Sequence, residues 1–260
     1  MTMSKLEIAA ATHPGRVRTN NEDSIATDGD LGLVVLADGM GGHQAGEVAS
    51  GLAVDLIMRH MSHVIHNPDS VKPDKGISVE SHSVGDAIKL ANSAVHETSQ
   101  TRPECAGMGS TVVAAAFHGN KISVGHVGDS RLYRLRGGKL DQLTVDHSVV
   151  QELLSRGLIS AEEARTAYNK NLVTKALGVD ANVEPDVNEF NIQSSDIYLL
   201  CSDGLNDVLD DNNIKQLLEN NNDKLEPVVS KLINAANNQG GPDNISVIIV
   251  RTDSSFSRNA

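Results

Sequence analysis

Four short β-prone segments follow one another in the middle of the chain, and they constrain its fold more than any other feature. The segments are residues 111–117, 122–127, 131–135 and 140–143. Residues 118–121 (HGNK) separate the first two and Gly137-Gly138 the last two, so tight turns join successive strands. A doubly wound parallel sheet would need a helix between successive strands. The sequence therefore predicts an antiparallel meander.

Helical periodicity flanks this meander on both sides. Further strands are predicted at residues 6–12, 33–37, 187–192, 197–201 and 245–250. Helices are predicted at residues 46–66, 84–99, 211–219 and 224–237, where apolar residues recur at helical spacing, and residues 67–80 are predicted to be a surface loop. We therefore expect an α+β fold in which two antiparallel β-sheets pack as a central sandwich, with α-helices on both outer faces.

A small helical insertion interrupts the second half of the chain. Residues 148–156 predict a short helix that ends before Gly157, and residues 160–163 (SAEE) have the pattern of a capping box. Because this stretch lies between β-rich segments, we expect a flap at about residues 147–175. We expect a single domain over residues 1–260, with a frayed tail at 252–260.

Charge and cysteine content restrict the partners and the compartment. The 260 residues carry 22 basic and 34 acidic side chains, a formal charge of −12, which argues against nucleic acid as a partner. Cys105 and Cys201 are too few and too far apart for a disulfide framework or a zinc site, and they fit a reducing compartment. No apolar run is long enough for a signal sequence or a membrane span. We expect a cytoplasmic monomer without membrane contact.

Acidic residues stand at the ends of four apolar runs. They are Asp38, Asp129, Asp203 and Asp243, and Glu22 and Asp23 form a further pair in the segment RTNNED. If the fold brings these residues together, their like charges would repel unless a cation lay between them. Mg²⁺ and Mn²⁺ prefer oxygen ligands, so the pattern indicates a site for hard divalent cations.

The glycine-rich segment at residues 37–43 (ADGMGGH) fits either an ordinary turn or a loop that approaches a ligand closely. Gln44 stands where a dinucleotide fingerprint needs its last glycine, and residues 107–111 lack the lysine of a phosphate-binding P-loop. A cysteine phosphatase would need Arg six residues after its Cys, but Thr111 and Asp207 stand there, and no G-x-S-x-G motif is present. Metal chemistry is the remaining route to a nucleophile.

Eight segments, in order, resemble the bacterial metal-dependent Ser/Thr protein phosphatases of the 2C type. They are residues 18–23 (RTNNED), 38–43 (DGMGGH), 109–111 (GST), 127–131 (VGDSR), 143–148 (LTVDHS), 174–178 (TKALG), 202–204 (SDG) and 241–244 (GPDN). The resemblance extends from about residue 7 to residue 250. It implies a two-sheet sandwich with flanking helices and a metal centre at one end.

The resemblance also implies a role for each site residue. Asp38 is expected to bridge two core Mn²⁺ or Mg²⁺ ions, and Asp129 to hold a weaker third ion together with Asp203. Glu22 and Asp23 are expected to act through metal-bound waters, and Arg18 rather than Arg16 to grip the substrate phosphate. The full set of implied metal ligands is Glu22, Asp23, Asp38, Gly39, Asp129, Asp203 and Asp243. The implied catalytic residues are Arg18, Asp38 and His43.

The implied activity is hydrolysis of phosphoserine or phosphothreonine in proteins by a metal-activated water, without a phosphoenzyme, in opposition to a cognate Ser/Thr kinase. Met40 stands where eukaryotic relatives have a histidine after Asp-Gly, so either His43 or a metal-bound water is the expected general acid. Two alternatives stay open: a metal phosphohydrolase of small phosphate esters, and a pseudo-phosphatase that only binds phosphoproteins.

Smaller expectations concern residues near these motifs. His147 is expected to help cap the helix that follows it, and His126 to be packed rather than to bind a metal. Ser130 and Asn244 are expected to support the aspartates beside them.

Overall fold

A computed structural model of the chain describes residues 6–41, 45–73, 76–167, 172–219 and 224–252. The strands within these ranges are β1 (Glu7–His13), β2 (Asp23–Asp28), β3 (Leu33–Met40), β4 (Gly109–Ser110), β5 (Val112–His118), β6 (Lys121–Val127), β7 (Arg131–Arg136), β8 (Lys139–Gln142), β9 (Asp186–Asn191), β10 (Ile197–Cys201) and β11 (Ile245–Arg251). The helices are α1 (Ala45–His66), α2 (Val79–Thr101), α3 (Val149–Ser155), α4 (Ala161–Thr166), α5 (Asp203–Asn206), α6 (Asp211–Glu219) and α7 (Glu226–Asn238).

The strands form two sheets, and every pairing within them is antiparallel. Sheet one has the order β1-β11-β10-β7-β8, and sheet two has the order β2-β3-β5-β6-β9 with β4 paired to β3. The predicted continuous meander is wrong: β5 and β6 pair as a hairpin in sheet two, β7 and β8 pair as a hairpin in sheet one, and the chain crosses from one sheet to the other between β6 and β7.

The two sheets pack face to face and bury both sides of their central strands. In β3, Val34 and Leu36 point into the layer between the sheets, whereas Leu33 and Val35 point toward the helices. Burial on both faces explains why this strand reads as a continuous apolar run instead of an alternating one. Phe117 and Tyr198 meet edge to face across the central layer, with ring centroids 5.3 Å apart.

Helices cover the outer face of each sheet. α1 and α2 pack on sheet two, and α5, α6 and α7 pack on sheet one. The predicted α+β sandwich with helices on both outer faces is therefore confirmed. In the described part of the chain, no helix combines the length and the hydropathy that crossing a membrane requires.

Four short features differ from the expectations drawn from the sequence. α2 begins at Val79 and not near residue 84, because Ser78 caps its first turn by accepting a hydrogen bond from the Ser81 N–H. β2, β4 and α5 were not predicted. β2 has a weak apolar pattern and gains its order from β3, and α5 is a single turn that follows β10 directly.

The segment predicted as a flap contains α3 and α4. Ser148, and not His147, caps α3 by accepting the Gln151 N–H at 3.2 Å, so the expected capping role of His147 is wrong. The capping box of Ser160 and Glu163 is present at the start of α4. Residues 168–171 of this segment, and residues 253–260 of the tail that was expected to fray, lie outside the described residues.

Candidate metal and phosphate site

One cavity of about 530 Å³ gathers most of the residues that the sequence singled out. The predicted site residues that line it are Arg18, Glu22, Asp38, Gly39, Asp129, Asp203 and Asp243. Asp23 is buried beside them without lining the cavity, and His43 lies outside the described residues. Residues 18 and 243, at opposite ends of the sequence, therefore meet at one end of the sandwich.

Sheet two supplies one wall of the cavity through the end of β3. Asp38 pairs in register with Asp23 of β2, and the Asp38 carbonyl accepts the Thr111 N–H at 2.8 Å. The strand continues two residues past Asp38, farther than the apolar run predicts, because residues 39 and 40 pair with β4. This pairing fixes the backbone on both sides of the Asp38 side chain.

Sheet one supplies the opposite wall through two neighbouring strands. The end of β10 lies beside the start of β11, so Asp203 and Asp243 come together although 40 positions separate them in the sequence. The Ser202 hydroxyl donates to the Asp23 carboxylate at 2.8 Å and thereby links the two sheets beneath the cavity. Gly204 passes so close to the Asn244 carbonyl that any larger residue would collide with it.

Burial gives the carboxylates of this site unusual protonation properties. It raises the pKa of Asp38 and of Asp203 well above their usual range, and the neighbouring aspartate charges add to the effect. Burial is also the main cause that raises the pKa of Asp23 to about 6 and that of Asp129 to about 7. The folded chain thus holds these side chains where ionisation is costly unless positive charge is supplied.

Two buried carboxylate oxygen atoms also indicate a place for positive charge. Asp23 Oδ1 and Asp203 Oδ1 are buried and have no hydrogen-bond partner among the residues that the structure describes. Buried polar atoms in folded proteins are nearly always paired, so unpaired carboxylate oxygens indicate a place for an ion or water. Hard divalent cations favour such oxygen ligands, and the donor set therefore fits Mn²⁺ or Mg²⁺.

Among the described residues that line the cavity, Arg18 is the one with a cationic side chain. Its Nη2 atom donates to Asp243 Oδ2 at 2.8 Å, and the side chain is 57% exposed. Arg16, the local rival, sends its guanidinium to Asn238 instead, at 3.1 Å. The structure thus brings Arg18, and not Arg16, to the acidic cluster.

Glu22 reaches the cavity through a close contact with α1. Gly46, in the first turn of that helix, has no room for a Cβ atom, which would collide with Glu22 Oε2. The Gly39 N–H donates to the Glu22 carbonyl at 3.1 Å, and the Ser50 hydroxyl donates to the same carbonyl at 2.6 Å. Burial raises the pKa of the Glu22 carboxyl.

Two residues near the cluster were not singled out as site residues. Asp207 lies one helical turn after Asp203, and its charge contributes to the raised pKa of both Asp203 and Asp129. An acidic residue four positions after a candidate ligand in a helix is a signal that could have identified it. Thr111 lines the cavity and hydrogen-bonds Ser130 side chain to side chain at 2.7 Å, which could have been inferred from its place in the GST segment.

A second cluster includes His147, at the start of the segment that was predicted to form a flap. Here the His147 ring stacks on His126, with centroids 4.8 Å apart, and its Nε2 atom lies 3.4 Å from Asp186 Oδ1. Although the spacing would suit a metal, the Gly128 N–H donates to His147 Nδ1. The neutral ring therefore carries its proton on Nε2, which faces Asp186 and cannot bind an ion. Lys175 Nζ, 3.5 Å from the same Asp186 oxygen, adds positive charge there. This arrangement agrees with the expectation that His126 is packed.

Comparison with known proteins identifies the family. Residues 13–248 match the family model described as Protein phosphatase 2C. The serine/threonine protein phosphatase PstP of Mycobacterium tuberculosis is 38% identical over 244 residues, which cover 94% of this chain. This chain spans only 44% of the length of that relative. The serine/threonine phosphatase Stp of Listeria monocytogenes is 36% identical over 248 residues, covering 93% of this chain and 94% of the relative.

A solved structure supports the same assignment. The catalytic domain of PstP in complex with two manganese ions superposes with a TM-score of 0.80 at 37% identity, covering 96% of this chain and 99% of that one. At this level of identity and coverage, the likeness includes both sheets and the outer helices. The chain therefore belongs to the protein phosphatase 2C family.

Proposed function

We propose that this chain is a metal-dependent protein phosphatase that hydrolyses phosphoserine and phosphothreonine. The observation that carries the proposal is a single cavity in which acidic side chains from both sheets face one arginine. Its acidic lining residues are Glu22, Asp38, Asp129, Asp203 and Asp243. Carboxylates suit divalent cations, and a planar guanidinium beside them suits a phosphate group.

The proposed ion ligands divide by their place in the cavity. Asp38, the Gly39 carbonyl, Asp203 and Asp243 would together hold two core ions. Asp129 and Asp203 would hold a weaker third ion, which the nearby charge of Asp207 supports. When bound, Mn²⁺ or Mg²⁺ would lower the pKa of water and so supply hydroxide at neutral pH.

The side chains around the ions have separate proposed tasks. Arg18 would bind two phosphoryl oxygens through its planar donors, and substrate would have to compete with the contact between Arg18 and Asp243. Glu22, which lines the cavity, and Asp23, which is buried beside Asp38, would act on the ions mostly through water molecules.

The proton for the leaving alkoxide has two proposed donors, His43 and solvent in the cavity. The pH dependence of kcat distinguishes them. If His43 is the acid, His43→Ala should remove the decline in rate on the alkaline side of the profile. If the decline persists in the variant, the proton comes from another group.

The test of the function uses the purified chain, a phosphopeptide, a nucleotide and either Mn²⁺ or a chelator. We expect phosphate release from the phosphopeptide with Mn²⁺ and none with the chelator. Faster turnover of the nucleotide would favour a small-ester phosphohydrolase. Binding of the phosphopeptide without phosphate release, at excess Mn²⁺, would favour a pseudo-phosphatase.

Asp38→Asn should abolish phosphate release and raise the melting temperature of the metal-free protein, because it removes one of several crowded negative charges. Asp30→Asn, at an exposed position outside the cavity, is the matched control and should behave as the wild type. Unfolding of the metal-free Asp38→Asn protein would instead show that this aspartate has a structural role.

The substrate is proposed to be a phosphoprotein, because PstP is named as a serine/threonine protein phosphatase. A cognate Ser/Thr kinase, a monomeric state and a cytoplasmic location stay predictions from the sequence.

A further inference from the structure

The side chain of Asn244 ties together both ends of the loop that carries Arg18. This Arg18 loop consists of residues 14–22. The Asn244 Nδ2 atom donates to the carbonyls of Pro14 at 3.1 Å and of Asn20 at 2.9 Å. Its Oδ1 atom accepts the Glu22 N–H at 2.8 Å. Asn244 is only 5% exposed, and both donors and the acceptor of its side-chain amide bond to this one loop. The loop lies more than 220 residues away from Asn244 in the sequence.

The segment around Asn244 forms the rest of the loop's support. The Arg16 N–H donates to the Gly241 carbonyl at 2.8 Å. Gly15 has a φ of +78° and passes so close to the Asp243 carbonyl that a side chain at this position would collide with it. Backbone conformation and close packing therefore both seat the loop on residues 241–244.

The side chain of Asn244 has a task separate from the carboxylate of Asp243 beside it. Asp243 Oδ1 accepts the backbone N–H of Asn244 at 2.9 Å, and this donor persists when the side chain is replaced. The Asn244 side-chain amide instead hydrogen-bonds to backbone groups of the loop, at Pro14, Asn20 and Glu22. Its removal should leave the Asp243 oxygens in place and loosen the loop.

The crest of the loop, residues 17 and 18, depends on this anchoring. The Arg18 side chain is 57% exposed, and Val17 beside it is 67% exposed, so little packing holds the crest in place. A guanidinium that recognises a phosphate must be placed accurately, since displacement by about 1 Å can cost on the order of a hundredfold in rate.

We propose that Asn244 is a positioning residue for phosphate recognition, which sets the place of Arg18 at the mouth of the cavity by fastening the two ends of its loop. The inference rests on the proposed phosphatase function. It extends that function to a residue that borders the cavity but whose side-chain amide is engaged by the backbone of the loop, so that it would act through Arg18.

The test compares wild type, Asn244→Ala, Arg18→Ala and the double variant, each saturated with Mn²⁺. Two quantities are measured: KM for a phosphopeptide, and the inhibition constant of inorganic phosphate. We expect Asn244→Ala to raise both by roughly tenfold to a hundredfold, with a smaller change in kcat. In the Arg18→Ala background the same substitution should have almost no further effect, because its target is already missing.

Matched controls separate positioning from general damage. Asn238→Ala removes an exposed contact to Arg16 in the same loop and should leave both constants unchanged. The increase of melting temperature on adding Mn²⁺ should be nearly equal in wild type and Asn244→Ala, because Asp38, Asp129, Asp203 and Asp243 lie outside the loop. Glu22 loses one backbone contact, but its carbonyl keeps the Gly39 N–H and the Ser50 hydroxyl as donors. If Asn244→Ala does not fold, Asn244→Ser removes the two amide donors in a smaller step and enters the same comparison.

The possible results distinguish failure of the positioning role from failure of the proposed phosphatase function. Unchanged constants in a folded Asn244 variant would overturn the positioning role. So would an equal loss with and without Arg18, since that pattern shows damage that does not act through the arginine. An inactive wild-type protein would instead overturn the proposed function itself.

Discussion

The pH dependence of stability without metal tests the electrostatics of the cavity directly. Burial raises the pKa of Asp23 from 3.8 to about 6 and that of Asp129 from 3.8 to about 7. A carboxyl group whose pKa is higher in the folded state stabilises the fold most when it is protonated, below its unfolded pKa. This stability is lost as the pH rises through the folded value. The window therefore extends from about pH 4 to about pH 7.

The magnitude follows from the two shifts. Each pKa unit corresponds to roughly 1.4 kcal/mol, so raising the pH from about 5 to about 8 should remove on the order of 2 kcal/mol through each of the two aspartates. For a domain of this size, about 4 kcal/mol corresponds to a decrease in melting temperature of roughly 10 °C. Asp38 and Asp203 act in the same direction.

The assay is thermal unfolding in chelator at several pH values, for wild type and Asp129→Asn. Two histidines oppose the effect, because burial lowers the pKa of His60 and of His147, so their contribution to stability grows with pH. The comparison with Asp129→Asn cancels them. The variant should lose less stability than the wild type between about pH 5 and pH 8, by on the order of 2 kcal/mol.

Asp55→Asn is the control for this comparison, since it removes an exposed carboxylate on α1. Equal pH slopes in wild type and Asp129→Asn would refute the reasoning. With saturating Mn²⁺ the wild-type trend should reverse, because protons and metal ions compete for the same oxygens.

Two further predictions use matched pairs of positions. Gly46→Ala should displace Glu22 and raise the Mn²⁺ concentration needed for half-maximal activity. Gly51→Ala, on the same helix, has room for its methyl group and should leave that concentration unchanged. Equal effects of the two substitutions would contradict the close contact between Gly46 and Glu22. Arg136→Ala should lower stability by about 3 kcal/mol in urea unfolding, because its carboxylate partner is only 1% exposed and would stay buried without its cation. Arg59→Ala breaks an exposed ion pair and should change stability by less than about 0.5 kcal/mol, so a similar loss in both variants would argue against burial as the cause.

Local patterns predicted most of the secondary structure because their causes are local. Apolar periodicity located α1 and α7, and the glycine-rich turns located the hairpins. β2 escaped notice because its order depends on pairing with β3, a partner that no local pattern reveals. His147 was misassigned for a related reason: its ring turns toward Gly128, a contact made only in the folded chain.

In the candidate site, too, the sequence indicated the acidic residues, whereas contacts between distant segments became visible only in the structure. Spacing and motif order identified Asp38, Asp129, Asp203 and Asp243, and the structure brings all four to one cavity. The anchoring of the Arg18 loop could not be read from the sequence, because it depends on a side-chain amide and three backbone groups that meet only when β11 lies beside the start of the chain.

The sequence by itself determined most of the strands and helices and the residue types that could bind cations, because short-range periodicity and side-chain chemistry fix these properties. Only the tertiary structure decided which acidic residues share a cavity, which arginine faces them and how far their protonation is altered. These properties depend on desolvation and on charge pairs between residues distant in sequence, and they exist only once the two sheets have packed together.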